Sequence, residues 1–187
     1  MMSRYEIRFA GSGGQGIILA AVIAGEAAAL YEENLYVVQT QSYGPEARGG
    51  KSKAEVVIST VPIDYPKVTR PNLQVILTQQ ACEEFSADTL PGGRIIFDDS
   101  FVTDFPQVDA YIYQLPISRI AREQLGRELV TNMVALGAVA RVLELENIVR
   151  PESVKKAILE KVPAGTKELN AKAFDEGYQV FKKSLHL

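Results

Sequence analysis

Phe9-Ala10-Gly11-Ser12-Gly13-Gly14-Gln15-Gly16 joins a short apolar run to a long alanine-rich one through four glycines. Gly11, Gly13 and Gly16 fit the G-x-G-x-x-G spacing. In that pattern the first glycine permits a tight turn, the second lets backbone N–H groups approach an anion, and the third lets a helix pack on a strand. Upstream, Tyr5-Glu6-Ile7-Arg8-Phe9-Ala10 alternates as a strand does, and residues 17–30 downstream are nearly all helix-forming or apolar. A helix starting there would aim its dipole and its unpaired N–H groups at a phosphate. The stretch therefore predicts the first βα unit of a Rossmann-like fold, with residues 11–16 as a candidate phosphate-binding turn.

A nicotinamide dinucleotide is not the expected ligand. Such a site places an Asp or Glu at the tip of the second strand, about 20 residues past the glycines, to bond the ribose 2′-OH. The second strand here reads Leu35-Tyr36-Val37-Val38-Gln39-Thr40-Gln41, and its tip carries only amides. Glu32 and Glu33 stand at its other end.

The next segment, Gln41-Ser42-Tyr43-Gly44-Pro45-Glu46-Ala47-Arg48-Gly49-Gly50-Lys51-Ser52-Lys53, is polar and long for a link between two strands. Loops of this length inside a compact domain are more often functional than idle, because ordering them is costly. Gly50-Lys51-Ser52 imitates a P-loop. Yet Pro45 occupies the position of the first P-loop glycine, and Ala54-Glu55-Val56-Val57-Ile58-Ser59 reads as a strand where a helix is required. The loop would set Glu46 and Arg48 at the C-terminal end of the sheet, on the side of the glycine turn, where open α/β sheets bind ligands.

Strand patterns near 4–10, 35–39, 54–59, 73–78, 94–98 and 109–114 alternate with helical ones near 14–31, 79–88, 117–125, 130–145, 151–160 and 168–184. They predict one domain over residues 1–187, an α/β Rossmann-like three-layer sandwich. No helix separates the second strand from the third, so that pair is expected to run antiparallel, giving a mixed, mostly parallel sheet. The helix around Met133, Leu136 and Leu143 is apolar on more than one stripe. Either the last two helices or a partner protein would cover it. Asn132 inside it is a candidate buried contact, to a partner or as an ordinary core amide. Asp98-Asp99 reads as a solvated turn in preference to a metal site.

Two pairs of segments together carry a resemblance. Gly11-Ser12-Gly13-Gly14-Gln15-Gly16 is followed one strand later by Ser42-Tyr43-Gly44-Pro45-Glu46-Ala47-Arg48-Gly49-Gly50. Ile120-Ala121-Arg122-Glu123-Gln124-Leu125-Gly126 leads into Asn132-Met133-Val134-Ala135-Leu136-Gly137, and Leu169-Asn170, Ala173-Phe174 and Gly177-Tyr178 close the pattern. Over essentially its whole length the chain resembles the gamma subunit of 2-oxoacid:ferredoxin oxidoreductases. It looks most like the 2-oxoglutarate branch, with the pyruvate and 2-oxoisovalerate enzymes close by.

The resemblance implies a subunit inactive by itself, in a complex that decarboxylates a 2-oxo acid on thiamine diphosphate, sends electrons through iron–sulfur clusters to ferredoxin, and transfers the acyl group to coenzyme A. Thiamine diphosphate and clusters would be held by partners, namely alpha, beta and, where present, delta subunits, with nothing bound tightly by this chain alone. Gly11, Ser12, Gly13, Gly14, Gln15 and Gly16 would face the coenzyme A side. Gly44, Glu46, Arg48 and Gly49 would face the thiamine-binding subunits, with Glu46 and Arg48 as candidate catalytic residues.

Composition agrees with this reading. The single cysteine, Cys82, cannot supply the roughly four thiolates of a cluster, and is expected to be a buried small hydrophobe after the strand at 75–77. The single histidine, His186, is next to the last residue and supports neither acid–base nor metal chemistry. A net charge of −3 without a basic stripe argues against nucleic acid. Neither a membrane span nor a signal peptide is visible, so a cytoplasmic location is expected. Two other classes remain: a self-sufficient nucleotide-dependent oxidoreductase, disfavoured by the amides at 39–41, and a stand-alone Rossmann-like module that binds a phosphorylated ligand.

Overall fold

Strand β1 (Arg4–Ser12) is flanked on both sides in a sheet whose order is β2-β3-β1-β4-β5-β6, in a computed structural model that describes residues 3–43 and 51–185. The remaining strands are β2 (Tyr36–Tyr43), β3 (Lys51–Ser59), β4 (Leu73–Ile76), β5 (Gly93–Asp98) and β6 (Ala110–Leu115). The helices are α1 (Ile17–Tyr31), α2 (Gln79–Phe85), α3 (Ile117–Arg119), α4 (Thr131–Leu145), α5 (Pro151–Lys161) and α6 (Lys167–Ser184).

Strand β3 pairs antiparallel with both β1 and β2, whereas β1, β4, β5 and β6 pair in parallel. The mixed sheet is the one expected from the missing helix between β2 and β3: a chain that turns back without a crossover must reverse direction. The β1-to-β2 connection through α1 moves one way along the sheet, and β4 lies on the other side of β1. The strand order thus reverses at β1, and a crevice opens beyond the carboxyl ends of β1 and β4.

Burial explains the layers. Tyr5, Ile7 and Phe9 alternate out of β1 into the main core with α1, α4, α5 and α6, while Ala10 belongs to a smaller core with Cys82, Ile95, Phe97 and Val102. Removing a side chain such as Phe9 or Phe97 from water contributes roughly 1.5–3 kcal/mol. The thin layer on that second face is α2 together with residues 101–108, where the Phe97 and Phe105 rings stack at 5.3 Å. Cys82 is buried there, as expected of a small hydrophobe, and burial pushes its thiol pKa up.

Further along the same face the central strand carries charge. Arg8 is buried, donates to Glu55 at 2.7 Å, pairs also with Asp88, and lies over the Phe85 ring at 5.2 Å. Glu6 accepts from the backbone N–H groups of Thr69 and Arg70, at 2.8 and 2.9 Å, which ties the proline-rich bridge between β3 and β4 to β1.

Two expectations change. The helix expected over 117–125 is one α-helical turn that widens into a π-helical turn at residues 120–124, closed by Leu125 N–H donating to the Ile120 carbonyl at 3.1 Å. Asp98 is not a solvated turn residue: it has no exposed surface. The apolar stripes of α4 are covered within the chain, chiefly by α6 and in part by α5 and α1.

Candidate functional site

The glycine turn sits at the crevice where the strand order reverses. Ser12 ends β1, and Gln15 N–H donates back to the Ser12 carbonyl at 3.3 Å, closing a four-residue turn. Gly14, the third residue of that turn, has φ of 96°, which a side-chain-bearing residue rarely adopts. Gly16 caps α1 at φ 72° with no side-chain capping bond, so the first N–H groups of this 15-residue helix keep their donors for a ligand.

Gly11 has a different duty from the one its place in the pattern suggested. It lies in β1 with ordinary extended backbone, and a Cβ there would press into Gln15 Oε1 and reach 3.1 Å from Ile17 Cδ1. Its missing side chain makes room for the Gln15 carboxamide. That carboxamide accepts from Ser12 N–H at 2.8 Å and donates to the Leu77 carbonyl at 3.3 Å, joining the end of β1 to the residue that follows β4. Gly16 is likewise crowded by Asn132 of α4, whose Nδ2 donates to the Gly16 carbonyl at 3.4 Å. Asn132 Oδ1 is buried without a hydrogen-bond partner among the described residues. The buried contact expected of Asn132 is therefore to the glycine turn.

A cleft of about 520 Å³ opens in front of the turn. Gly13, Gly14 and Gln15 line one wall; Ser118, Gly126, Arg127, Glu128, Leu129 and Thr131 line the other. The far wall owes its shape to the π-helical turn, to Arg127 N–H reaching back to the Ala121 carbonyl at 2.9 Å, and to Gly126 at φ 67°. Behind it, Asp98 accepts from Ser118 N–H at 3.1 Å, from the Ser118 hydroxyl, and from Ser100 N–H at 3.2 Å. Burial pushes the Asp98 carboxyl pKa up, and these hydrogen bonds oppose the shift. The arrangement offers an anion the start of α1, and the far wall carries one residue of each charge, Arg127 and Glu128. The Ser118 hydroxyl is committed to the buried Asp98 behind the wall, so what the lining offers a ligand is binding and orientation.

A smaller cavity, of about 120 Å³, lies at the opposite end of the strands between Tyr5, Leu35, Ile58 and Ile148. It is far from the crevice, and the Tyr5 hydroxyl on its wall is buried without a hydrogen-bond partner among the described residues, with a pKa that burial raises strongly.

Residues 11–16 form one continuous stretch, of which Gly13, Gly14 and Gln15 line the cleft while Gly11 is buried beneath them. Gly44, Glu46, Arg48 and Gly49, and also His186, lie outside the described residues. The strand ends that flank the loop are described: Ser12 is in register with Lys51, and Tyr43 with Ser52, beside the glycine turn. The far wall was missed by reasoning from sequence. The one signal in sequence is the run from Ile120 to Gly126, part of the family resemblance. At the second strand, Gln39 spends its amide on the neighbouring Thr40 carbonyl, and Glu32 pairs with Arg150 at the other end of the sheet. Neither serves as a ribose-binding acid. Among the described residues no group of three or more His, Cys, Asp or Glu is placed to hold a metal ion.

Known proteins agree with this geometry. The family model described as pyruvate ferredoxin/flavodoxin oxidoreductase matches residues 6–180. The chain is 54% identical over 182 residues to the 2-oxoglutarate synthase subunit KorC of Methanocaldococcus jannaschii, covering 96% of this chain and 95% of that protein. The crystal structure of a keto/oxoacid ferredoxin oxidoreductase gamma subunit from Geobacter sulfurreducens superposes with a TM-score of 0.87 at 44% identity, covering 98% and 99% of the two chains. The fold also recurs, with a TM-score of 0.82 and 24% identity, in 32% of a longer chain of the 2-oxoglutarate:ferredoxin oxidoreductase of Magnetococcus marinus, a structure with 2-oxoglutarate, coenzyme A and succinyl-CoA bound. The chain belongs to the pyruvate ferredoxin/flavodoxin oxidoreductase family, as a gamma-type subunit of the 2-oxoacid:ferredoxin oxidoreductases.

Proposed function

We propose that this chain, as one domain, is the gamma subunit of a cytoplasmic complex that oxidises 2-oxoglutarate to succinyl-CoA, and that its cleft receives coenzyme A. The observation that carries the substrate is the 54% identity with a 2-oxoglutarate synthase subunit over nearly the whole of both chains. The cleft assignment is supported by the uncapped start of α1, at the crevice where open α/β sheets bind ligands.

The overall reaction converts the 2-oxo acid, coenzyme A thiol and two oxidised ferredoxins into acyl-CoA, carbon dioxide, two reduced ferredoxins and a proton. Thiamine diphosphate would supply the electron sink for decarboxylation, and iron–sulfur clusters the path for electrons. This chain's donor set does not fit a cluster: Cys82 is its one thiol and is buried in the core, where about four thiolates are needed. Both groups are therefore assigned to alpha and beta partners, with a delta subunit where the complex has one. The part of this chain is to bind and orient. The α1 N-terminus and Arg127 hold the phosphates of coenzyme A, and the turn sets where its thiol arm leaves the cleft. Gly44, Glu46, Arg48 and Gly49 meet the thiamine-binding subunits. No helix among the described residues is long and apolar enough to cross a membrane.

The test is to purify the tagged chain with its partners, without oxygen, and assay ferredoxin reduction. Turnover that requires 2-oxoglutarate and coenzyme A, and is lost when this chain is withheld on reconstitution, is the expected result. Preference for pyruvate or 2-oxoisovalerate would overturn the substrate. A chain recovered without partners that binds a phosphorylated ligand would overturn the subunit role.

A further inference from the structure

We propose that Gln15 is a positioning residue: its carboxamide fixes the width of the crevice between β1 and β4 and holds the glycine turn in the shape that receives coenzyme A. The inference rests on the reading of the cleft as the coenzyme A site.

Three observations carry it. Both ends of the carboxamide are engaged, with Oε1 accepting from Ser12 N–H at 2.8 Å and Nε2 donating to the Leu77 carbonyl at 3.3 Å. Ser12 ends β1 and Leu77 directly follows β4, the two strands between which the crevice opens. The backbone tie at this level, Leu77 N–H to the Ala10 carbonyl at 2.9 Å, lies one step below the turn. The side chain therefore extends the pairing of β1 with β4 past the last backbone bond and up to the turn itself.

The space for this bridge is reserved. Gly11 sits in extended backbone that any residue adopts, so its lack of a side chain is not a demand of the main chain. Its Cβ would collide first with Gln15 Oε1. Gly11 and Gln15 thus form one device, and the glycine is needed because the glutamine folds back under the turn.

Gln15 also lines the cleft with Gly13 and Gly14. It consumes the Ser12 N–H internally, which leaves the start of α1 as the donor set turned toward a ligand. A side chain acting this way touches the ligand's cradle and not the reacting atoms. Its loss should change how well coenzyme A binds more than how fast bound coenzyme A reacts.

The experiment uses the intact complex, with coenzyme A varied at saturating 2-oxo acid and ferredoxin. Gln15→Ala removes both bonds and should raise the KM for coenzyme A roughly fivefold, the effect of about one neutral hydrogen bond, with kcat within twofold. Gln15→Glu still accepts from Ser12 N–H, but it cannot donate to Leu77 and it sets a negative charge beside the phosphates. Its KM should rise further, and the excess should shrink as salt is added. Gly13→Val, which blocks the approach to the turn directly, is the control for the cleft. If Gly13→Val raises the KM and neither Gln15 variant does, the positioning role is wrong while the cleft stands. If no variant changes the KM, both fall. Should the Gln15 variants lower the thermal midpoint and leave the KM alone, the residue is structural only. The Gly11–Gln15 pairing has its own readout: Gly11→Ala should cost markedly less stability in a Gln15→Ala background than alone, and additivity of the two would refute it.

Discussion

Asp98 is the residue whose surroundings depart furthest from what its neighbours in sequence suggest. It lies at the end of β5 with its carboxylate under the cleft wall, accepting three hydrogen bonds from Ser118 and Ser100. Burial still dominates and raises its pKa above that of an unfolded Asp, about 3.9. The folded chain then holds the Asp98 proton more tightly than the unfolded chain does. The stability this gives is fully present below the unfolded pKa and is lost as pH rises through the folded one. Asp98→Asn has no such proton. The unfolding free energy of the wild type minus that of the variant should therefore fall as pH is raised from about 4 toward 7, measured by urea titration at each pH. A flat difference would mean that hydrogen bonding cancels burial. Ser118→Ala, which strips the hydroxyl from the carboxylate, should cost roughly 1.5–3 kcal/mol, as bonds to charged groups do. None of this is legible from Asp98-Asp99 alone, because Ser118 is returned to β5 only by the whole of β6. The glycine turn is the opposite case. Its residues lie within one local stretch, and spacing sufficed to find them, although the reason for Gly11 needed the position of Gln15.

Among the elements, α4 and α6 show how a helix pair can be legible in outline and hidden in mechanism. The several apolar stripes of α4 indicate burial on more than one side, and α6 supplies the main cover. What the pattern does not convey is how close the two helices come. A Cβ on Gly177 would run into the carbonyl group of Val134, 2.7 Å from its carbon, and one on Gly137 would run into the α6 backbone at Phe174 and Tyr178. Each helix offers a glycine to the other's main chain, so the contact cannot be relieved by a rotamer change. Gly177→Ala should destabilise the chain by about 2–3 kcal/mol, even though alanine is the better helix former by roughly 1 kcal/mol. The control is Gly165→Ala, where the added methyl meets open space and the change should stay within about 0.5 kcal/mol. Chemical denaturation of both variants decides it, and a Gly177→Ala chain as stable as the wild type would show that the helices can part without loss. The π-helical turn after α3 escaped for a related reason. Ile117, Ile120, Ala121 and Leu125 are spaced as an α-helix would have them, and i→i+5 bonding leaves no mark on that pattern.

At the scale of the molecule, the sheet turns two segments distant in sequence into one rim. Its order reverses at β1, and β3 lies antiparallel between β1 and β2, so the ends of β2 and β3 at Tyr43 and Ser52 stand beside Ser12. The missing helix between β2 and β3 made that arrangement legible. The wall formed by residues 126–131 was not, since more than 100 residues separate it from the glycines and its own residues carry no motif. Residues 44–50, between Tyr43 and Lys51 in sequence, lie outside the described residues, and the role proposed for them belongs to the assembled complex. Arg48→Ala should therefore leave the isolated chain with an unchanged thermal midpoint and an unchanged circular dichroism spectrum, because a loop charge adds little to a core. In the reconstituted complex the same change should lower ferredoxin reduction roughly 10- to 100-fold, the loss expected when a charged group is deprived of about 1.5–3 kcal/mol of hydrogen bonding. Glu46→Gln keeps size and hydrogen bonding while removing charge, so it separates an electrostatic role from a packing one. If Arg48→Ala unfolds the isolated chain, Arg48 is structural. If the complex turns over at the wild-type rate, the loop is a spacer, and the contribution of this subunit is confined to the cleft in front of the glycine turn.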